Sequence, residues 1–440
     1  MVEKKVNNKE ESKVKVKFIT NDPNIRVTDT PIAVPVRLAR LGLSEVIHHL
    51  REDIEENSKP FDFLINGKFI RTTLDTHIKN NSLSEEDIIT IEYLEAITEP
   101  KREKECQHDD WVSSVHGGNF GLIVSGSYDL GVRVWDSEGN LISTGTGHLA
   151  GVKCVSWIND KDNSNLSFVS ASLDKTLRVW NFNKEQSEIK ALAVLKEHTG
   201  SVESVDVSPD QTRIVSGSMD GTIKLWSIKN IPNTPAAAPS NSSLKKRKTT
   251  TAPETIHEIT ESIQSVSVPN CQGITTVNWE TQFQLLSGSM DHNIKLWDVN
   301  TLTQTESIHT SSSLTDISYT VESGLIASAH KDKTIRIWDP RESDQTKAQI
   351  QSLFSHKTWV TSVCWKPNSK HHLCSTSHDG TIKYWDIRTK IPFYTIDNLE
   401  KTNEKVLTSS WINNNNNDNY SIVSGGTDSK LRIHYNDNNN

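Results

Sequence analysis

The sequence is poor in the features that mark secreted, disulfide-bonded or membrane-spanning proteins. Its five cysteines are odd in number and no two have C-x-x-C spacing, so neither a disulfide framework nor a zinc site is indicated. No apolar run approaches the ~20 residues that a bilayer requires, and the opening MVEKKVNNKEESK has no apolar core of a secretory signal. We therefore expect a protein of a reducing compartment, the cytosol or the nucleus, without a membrane partner.

A basic excess is also absent, since 48 Lys and Arg stand against 56 Asp and Glu. Proteins that hold nucleic acid by neutralising phosphates usually have a basic patch or a high pI, so any RNA contact is expected to be local or made through partners. The sequence contains no G-x-S-x-G elbow, H-E-x-x-H helix or phosphate-binding loop. We expect no enzyme, no cofactor, no metal of its own and no small-molecule substrate.

What the sequence does contain is a sevenfold repeat. Seven segments have a Ser four residues before an Asp, and six of them have a Trp six residues after it: SGSYDLGVRVW, SASLDKTLRVW, SGSMDGTIKLW, SGSMDHNIKLW, SAHKDKTIRIW, STSHDGTIKYW and SGGTDSKLRIH. Successive Asp residues are 45, 46, 71, 41, 47 and 49 positions apart. A period of ~40–45 residues ending in Trp-Asp is typical of WD repeats, which fold as four-stranded blades. Residues 98–440 therefore resemble the WD-repeat family and predict an all-β, seven-bladed propeller.

The resemblance to WD-repeat proteins implies a buried polar chain in each complete repeat. In that family a His before the repeat, the turn Asp, the Ser and the Trp are linked by hydrogen bonds, so that every buried donor and acceptor has a partner. Carried over to this sequence, the sets are His108/Ser125/Asp129/Trp135, His148/Ser170/Asp174/Trp180, His198/Ser216/Asp220/Trp226 and His356/Ser375/Asp379/Trp385.

Three repeats depart from this pattern. Asn270, Thr310 and Thr402 stand where the fourth, fifth and seventh repeats should have the His, and His434 replaces the last Trp. We expect these blades to be held less tightly. A Ser-His-Asp set also suggests a hydrolase, but a catalytic triad occurs once, in a cleft, whereas this set recurs four times at the repeat spacing. The sets are therefore interpreted as structural.

The last repeat leaves no residues for a fourth strand, because only NDNNN follows its third strand. We expect the segment of about Thr98–Cys106 to supply that outer strand, since closure of the ring removes exposed sheet edges.

The 71-residue gap contains an insert at about 230–253 that is rich in Pro, Ala, Ser and Thr. Such a composition predicts a disordered loop, here expected between two outer strands. Its basic run, Lys245-Lys246-Arg247-Lys248, is a candidate nuclear import signal. The alternative is a solvated charge cluster.

Residues 1–13 are expected to be disordered, and residues 14–97 predict a small α+β domain. VKVKFIT alternates like a strand, LSEVIHHLREDIEE has helical apolar spacing with Ser44 as a candidate cap, and FDFLINGKFI predicts two strands around an Asn-Gly turn. With IITIEYLEA as the last strand, the order resembles the ubiquitin-like β-grasp fold. No diglycine ends the domain, so we expect a docking module rather than a conjugated modifier.

A ubiquitin-like domain before a WD propeller resembles the Notchless-like (NLE) family of ribosome assembly factors. The seven repeats, the basic insert, HDDWVSSV and FDFLINGKFIR are similar to the WD-repeat subunit of the pescadillo (PeBoW) complex. The resemblance implies a non-catalytic assembly factor for the large (60S) ribosomal subunit, needed for maturation of its rRNA precursors in the nucleus, nucleolus and nucleoplasm. It further implies that the propeller binds the block-of-proliferation WD-repeat protein in a complex with pescadillo. The ubiquitin-like domain would dock midasin, an AAA ATPase, for release from pre-60S particles.

The same resemblance implies which residue docks midasin. The family uses an acidic residue in the loop before the last strand to complete a partner Mg²⁺ site in trans, and Mg²⁺ favours such carboxylate oxygens. Alignment on the IEY motif places this residue at Glu86, with Glu85 as the alternative. Two other functions remain open: a Notchless-type assembly factor, which has eight repeats, and a WD-repeat adaptor of a ubiquitin ligase, for which no docking motif is present.

Overall fold

The computed structural model describes residues 12–20, 23–51, 60–81, 84, 87–96, 99–100, 102–118, 121–159, 165–231, 256–269, 271–342, 348–397, 404–413 and 420–435. The chain divides into two compact units between Thr98 and Glu99. No helix in these residues is long and apolar enough to cross a membrane.

The N-terminal unit is a mixed sheet with two helices. Its elements are β1 (Lys13–Ile19), β2 (Ile32–Pro35), α1 (Arg40–Arg51), β3 (Phe61–Ile65), β4 (Lys68–Phe69), α2 (Leu74–Asn80) and β5 (Ile89–Glu95). The strand order is β2-β1-β5-β3-β4, and the central pair, β1 with β5, is parallel. Leu43 and Ile47 of α1 are fully buried in the core, because the apolar residues of α1 recur at helical spacing and form one stripe.

Two details of this unit differ from the sequence analysis. Helix α1 begins at Arg40, so Ser44 lies inside it and is not its cap; its hydroxyl donates to the Arg40 carbonyl at 3.0 Å and accepts from the Phe61 N–H at 2.9 Å. Helix α2 was not predicted. Thr73 caps it by accepting a hydrogen bond from the Thr76 N–H, which satisfies one of the free donors of the first turn.

The second unit contains seven antiparallel blades among the described residues, which confirms the predicted propeller. Blades one to three are β7 (Val112–Gly117), β8 (Leu122–Ser127), β9 (Val132–Asp136), β10 (Leu141–Gly145); β11 (Val152–Asn159), β12 (Asn165–Ser172), β13 (Thr176–Asn183), β14 (Glu188–Lys196); and β15 (Val202–Val207), β16 (Arg213–Ser218), β17 (Thr222–Ser227), β19 (Gln264–Ser267). Blades four and five are β20 (Ile274–Trp279), β21 (Gln284–Ser289), β22 (Asn293–Asp298), β23 (Gln304–His309); and β24 (Leu314–Thr320), β25 (Leu325–His330), β26 (Thr334–Trp338), β27 (Gln349–Phe354). Blades six and seven are β28 (Val360–Trp365), β29 (His372–Ser377), β30 (Thr381–Asp386), β31 (Tyr394–Asp397); and β32 (Val406–Asn413), β33 (Tyr420–Gly426), β34 (Lys430–Tyr435), with β6 (Arg102–Gln107).

The innermost strands of the seven blades contact one another in a closed cycle, from β7 through β32 and back to β7. The predicted closure is confirmed, because β6 pairs antiparallel with β34 as the outer strand of blade seven. Ion pairs reinforce this seam: Arg432 lies 3.0 Å from both Glu103 and Glu105 and 2.5 Å from Asp428.

The course of the chain around the insert corrects the sequence analysis. The insert was expected between two outer strands, but the chain enters it after the third strand of blade three, β17. It returns as β18 (His257–Ile259), which pairs parallel with β14 and adds a fifth strand to blade two. Only then does β19 complete blade three. The periodicity could not reveal β18, because this strand lies outside the four-strand repeat.

Candidate docking face and buried polar chains

Blade two shows how the recurring residues meet. Ser170 ends up in the centre of the blade, where its hydroxyl lies 2.7 Å from His148 Nε2 and accepts the Trp180 indole N–H at 2.8 Å. His148 Nδ1 lies 2.8 Å from the Asp174 carboxylate, which also accepts the Thr176 hydroxyl at 2.6 Å. A neutral His that donates from Nδ1 and accepts at Nε2 satisfies the whole chain.

Blades three and six repeat this geometry. In blade three, His198 lies 3.1 Å from Asp220 and 2.8 Å from Ser216, which accepts the Trp226 N–H at 3.0 Å. In blade six the His356–Asp379, His356–Ser375 and Trp385–Ser375 distances are 3.2, 2.8 and 2.8 Å.

Blade one departs from it at one link. Ser125 still contacts His108 at 3.0 Å and Trp135 at 2.8 Å, but His108 Nδ1 lies 3.7 Å from Asp129. The guanidinium of Arg133 contacts both His108 and Asp129, the latter at 2.5 Å. An arginine thus joins the chain, a role that the repeat pattern did not assign to it.

The charge states follow from burial and hydrogen bonding. Burial lowers the pKa of His148, which keeps the imidazole neutral. Burial alone would raise the pKa of Asp174, but the hydrogen bonds from His148 and Thr176 outweigh it and hold that pKa well below its usual value. The blade therefore encloses one ionised carboxylate whose hydrogen-bond donors are already in place.

The three repeats without the His differ from one another. In blade five, His330 on β25 lies 2.8 Å from Ser328, which accepts the Trp338 N–H at 2.7 Å, so a His two residues after the Ser restores the link. Thr310 instead donates to the carbonyls of His292 and Ser312. The sequence analysis missed His330, although its spacing from Ser328 was a visible signal.

Blade seven uses a His in place of the Trp. His434 Nε2 lies 3.2 Å from the Ser424 hydroxyl, and burial lowers the pKa of His434 to about 3. In blade four, Ser287 accepts the Trp297 N–H at 2.8 Å. Asn270 and Thr402 lie outside the described residues.

These serines are poor candidates for a nucleophile. Ser125, Ser170 and Ser216 are fully buried, and each hydroxyl is committed to a His and a Trp. A catalytic serine must reach substrate in a cleft. The described residues also contain no group of three His, Cys, Asp or Glu side chains that could hold a metal ion.

Two exposed tryptophans, Trp111 and Trp359, lie at one end of the ring. We call this end the turn face; here tight turns join the second and third strands of each blade and the inner strands begin. Trp111, which is 48% exposed, precedes β7 and packs edge-on against Tyr128 at 5.7 Å. Lys153 of blade two lies 5.7 Å from the Tyr128 ring and 3.2 Å from Glu203.

A second aromatic pair lies on blade six. Trp359, which is 46% exposed, stacks on His378 with 5.5 Å between the ring centres. Lys331 of blade five lies 5.2 Å from the Trp359 ring. Both aromatic pairs line a cavity of about 420 Å³ at the mouth of the central channel. Exposed Trp side chains beside cations are typical of protein interfaces.

The channel is lined by polar side chains that link neighbouring blades. Asp316 of blade five accepts the Val363 N–H of blade six at 3.1 Å, and Asp206 of blade three accepts the Trp279 N–H of blade four at 2.8 Å. Burial raises the pKa of Asp206 and that of Asp316 to about 6 each. These carboxyls are structural ties between edge strands rather than ligands for a substrate.

Four residues named from the sequence lie outside the described part of the insert: Lys245, Lys246, Arg247 and Lys248. Glu85 and Glu86 are also outside the described residues, and the chain on either side of them is described at Ser84 and Asp87.

Comparison with protein families agrees with this architecture. The NLE (NUC135) domain matches residues 14–78, and the WD domain, G-beta repeat matches 101–136, 139–181, 189–227, 261–298, 300–339 and 347–386. The seventh blade is unmatched, consistent with His434 in place of its Trp and an outer strand taken from β6. The molecule is thus a WD-repeat propeller protein with an N-terminal NLE domain.

Relatives align with this chain over nearly their whole length. The chain is 72% identical over 456 aligned positions to "Ribosome biogenesis protein WDR12 homolog" of Dictyostelium discoideum, covering 99% of this chain and 98% of that one. It is 35% identical to the protein of that name in Oryza sativa subsp. japonica, with 96% of each chain covered. It is 34% identical to "Ribosome biogenesis protein YTM1" of Saccharomyces cerevisiae, with 98% of each covered. The chain belongs to the WDR12/YTM1 family of ribosome biogenesis proteins.

Proposed function

We propose that this chain is a non-catalytic assembly factor of the large (60S) ribosomal subunit, required for maturation of the large-subunit rRNA precursors. The observation that carries the proposal is the similarity of this NLE-plus-propeller chain, over nearly its whole length, to ribosome biogenesis proteins. Seven blades favour the pescadillo-complex subunit over a Notchless-type factor with eight repeats. The buried, fully committed serines and histidines favour docking over bond-making.

Affinity purification from cells tests this role directly. We expect the block-of-proliferation protein, pescadillo and pre-60S particles to be recovered with the tagged chain, and depletion of the chain to cause accumulation of large-subunit rRNA precursors. Recovery of a cullin ligase without these partners would instead establish the adaptor function.

The turn face is the surface that we assign to the block-of-proliferation propeller. It carries two exposed tryptophans, Trp111 and Trp359, on the two blades that flank blade seven. Each tryptophan is held by a ring partner, Tyr128 or His378, so little side-chain freedom is lost on binding. Buried aromatic anchors commonly supply more than ~2 kcal/mol of binding free energy each.

A binding assay with the purified block-of-proliferation propeller tests the turn face. We expect Trp111→Ala and Trp359→Ala each to weaken the Kd at least about tenfold, which corresponds to ~1.4 kcal/mol. Phe354→Ala is the matched control, because Phe354 is 68% exposed on β27, an outer strand. If Phe354→Ala weakens binding and the tryptophan variants do not, the interface lies on the rim.

The NLE domain is assigned to midasin, with Glu86 as the carboxylate that completes the partner's Mg²⁺ site. A Glu86→Ala chain should enter the complex but fail to leave pre-60S particles, because Mg²⁺ would lose its external oxygen ligand. Glu86→Asp should fail as well, since the shorter side chain withdraws the carboxylate. Glu85→Ala is the control; normal release of Glu86→Ala together with failure of Glu85→Ala would transfer the role to Glu85.

The basic run at 245–248 is assigned to nuclear import, which places the protein in the nucleus, nucleolus and nucleoplasm. The described flanks of the insert are Ile231, which follows the third strand of blade three, and β18, the outermost strand of blade two. Replacing the four basic residues by Ala should leave a fluorescent fusion in the cytoplasm. Unchanged nuclear accumulation would assign import to another segment or to a partner.

A further inference from the structure

Two of the five cysteines face each other in blade six. Cys364 on β28 and Cys374 on β29 are direct cross-strand partners, so their side chains project from the same face of the sheet. The Lys366 N–H donates to the His372 carbonyl in the same register at 2.9 Å. The cysteine pair, two residues along each strand, is therefore of the hydrogen-bonded type, in which the Cα atoms are about 5.5 Å apart.

The two thiols differ in access. Cys364 is partly exposed and lines a channel cavity of about 310 Å³. Cys374 is fully buried, and its Sγ lies 3.5 Å from the Ser409 hydroxyl of blade seven. The hydrogen bond with Cys374, together with burial, raises the pKa of Cys364 well above its usual value. Cys364 thus borders the channel, and Cys374 lies behind it on the neighbouring strand.

We propose that Cys364 and Cys374 form a thiol–disulfide redox site that is closed by a peroxide and reopened by a small thiol. The Cα separation of the pair lies within the ~4.4–6.8 Å that disulfides span. The Cβ atoms of such a pair are about 4.5–5.5 Å apart, slightly more than the ~3.5–4.5 Å of a relaxed disulfide. Strands β28 and β29 must therefore move closer together to form the bond, which strains the disulfide. A strained disulfide is readily reduced.

The reaction balances with hydrogen peroxide as the two-electron oxidant. The Cys364 thiol releases its proton, and the thiolate attacks one peroxide oxygen. The O–O bond breaks, and the hydroxide that leaves takes up the released proton, so the products are a sulfenic acid and water. The Cys374 sulfur then attacks the Cys364 sulfur, the S–O bond breaks, and the hydroxide leaves as a second water with the Cys374 proton. Two thiols and one peroxide give one disulfide and two waters.

The surroundings also predict how fast the site reacts. Because the thiolate is the nucleophile and the pKa of Cys364 is raised, oxidation should be slow at pH 7 and accelerate toward pH 9. Cys271 serves as an internal reference, because it is partly exposed and its sulfur accepts the Gly273 N–H rather than facing another thiol.

The experiment uses the full-length folded protein and hydrogen peroxide at pH 7 and pH 9. Digestion without reductant and mass spectrometry should reveal a peptide pair joined through Cys364 and Cys374, 2 Da lighter than the reduced pair, that dithiothreitol separates. Cys374→Ser should leave Cys364 as a sulfenic acid, whereas Cys271→Ser should leave the linkage unchanged. In 6 M guanidinium chloride the preference for this pair should disappear.

The wild-type digest decides the proposal even if a variant does not fold. Free Cys364 and Cys374 in folded protein whose Cys271 is fully oxidised at pH 9 would overturn it. Linkage of Cys364 to a different cysteine would overturn it as well, because the cross-strand register would then not direct the reaction.

Discussion

The interpretation of the polar chains is tested most sharply by removing one hydroxyl. In a Ser170→Ala chain, the Trp180 N–H and His148 Nε2 each lose a partner at 2.8 and 2.7 Å in a fully buried site. Each unsatisfied buried group costs about 1–3 kcal/mol, so we expect a loss of about 2–5 kcal/mol in the free energy of unfolding. Ser287→Ala is the matched control, since among the described residues Ser287 accepts only the Trp297 N–H; its cost should be about half.

Equilibrium unfolding in urea, followed by tryptophan fluorescence and far-UV circular dichroism, measures both variants. Adding Trp180→Phe completes a double-mutant cycle, which separates the hydrogen bond from the loss of indole volume. We expect a coupling energy of about 1–2 kcal/mol between Ser170 and Trp180. Partner binding at a temperature where both proteins are folded should be unchanged.

Two results would refute the reasoning. Equal destabilisation by Ser170→Ala and Ser287→Ala would mean that the His link contributes nothing. A Ser170→Ala chain that unfolds like the wild type but loses its biological activity would mean that the hydroxyl acts chemically, and the structural interpretation of all the repeats would be wrong.

Three further substitutions test the channel, blade five and the ring closure. Burial raises the pKa of Asp206 to about 6, so the fold loses stability as pH rises from about 4 through 6. Asp206→Asn gives this strand the residue, Asn278, that stands at the same position of the inner strand of blade four. The change should raise the free energy of unfolding by up to ~3 kcal/mol at pH 8 and hardly at all at pH 4. Burial lowers the pKa of His330 to about 4, so the stability that its neutral form contributes above pH 6.5 is lost as pH falls toward 4. His330→Gln should flatten this decline in thermal melts, and an unaltered pH profile would contradict the role of His330. Arg432→Met leaves Asp428 without its 2.5 Å ion pair and should cost about 3–5 kcal/mol, with faster proteolysis near β6; wild-type protease resistance would show that the seam does not depend on this pair.

Much of the propeller follows from local spacing. The equivalents of Ser170, Asp174 and Trp180 recur at fixed offsets because each occupies one position in a strand–turn–strand unit. Along the third strand, alternate side chains point to opposite faces of the sheet, and this alternation sets which side chains face the neighbouring blade. The closing strand β6 was predictable because the seventh repeat lacked residues for a fourth strand. In the first case the constraint acts within one repeat, and in the second it acts between the first and last segments of the propeller.

What the sequence analysis did not reveal depends on contacts that the fixed offsets of the repeat do not encode. His330 restores the link to the repeat serine from two residues beyond Ser328 on β25, an offset at which the complete repeats have no His. Arg133 enters the polar chain of blade one because its guanidinium reaches both His108 and Asp129. Strand β18 pairs with β14, more than 60 residues away in the chain, and no repeat offset encodes that pairing.

In the N-terminal unit the errors have a related cause. Ser44 looked like a helix cap because it precedes an apolar stripe, but its hydroxyl instead accepts the Phe61 N–H at the start of β3. A serine can satisfy backbone groups of its own helix or of another element, and only the packing of α1 on the sheet decides between them.

The buried polar chains also position side chains of the turn face. In blade six, Asp379 accepts the Lys357 N–H at 2.8 Å and the Thr381 hydroxyl at 2.6 Å, so it joins the segment that leads to Trp359 with the turn that carries His378. The stacked pair that we assign to partner binding is therefore positioned by the carboxylate beneath it. Hydrogen-bonded groups that are buried from solvent make such a surface rigid. Side chains that resemble a catalytic triad therefore serve here to fix the positions of the residues on the turn face.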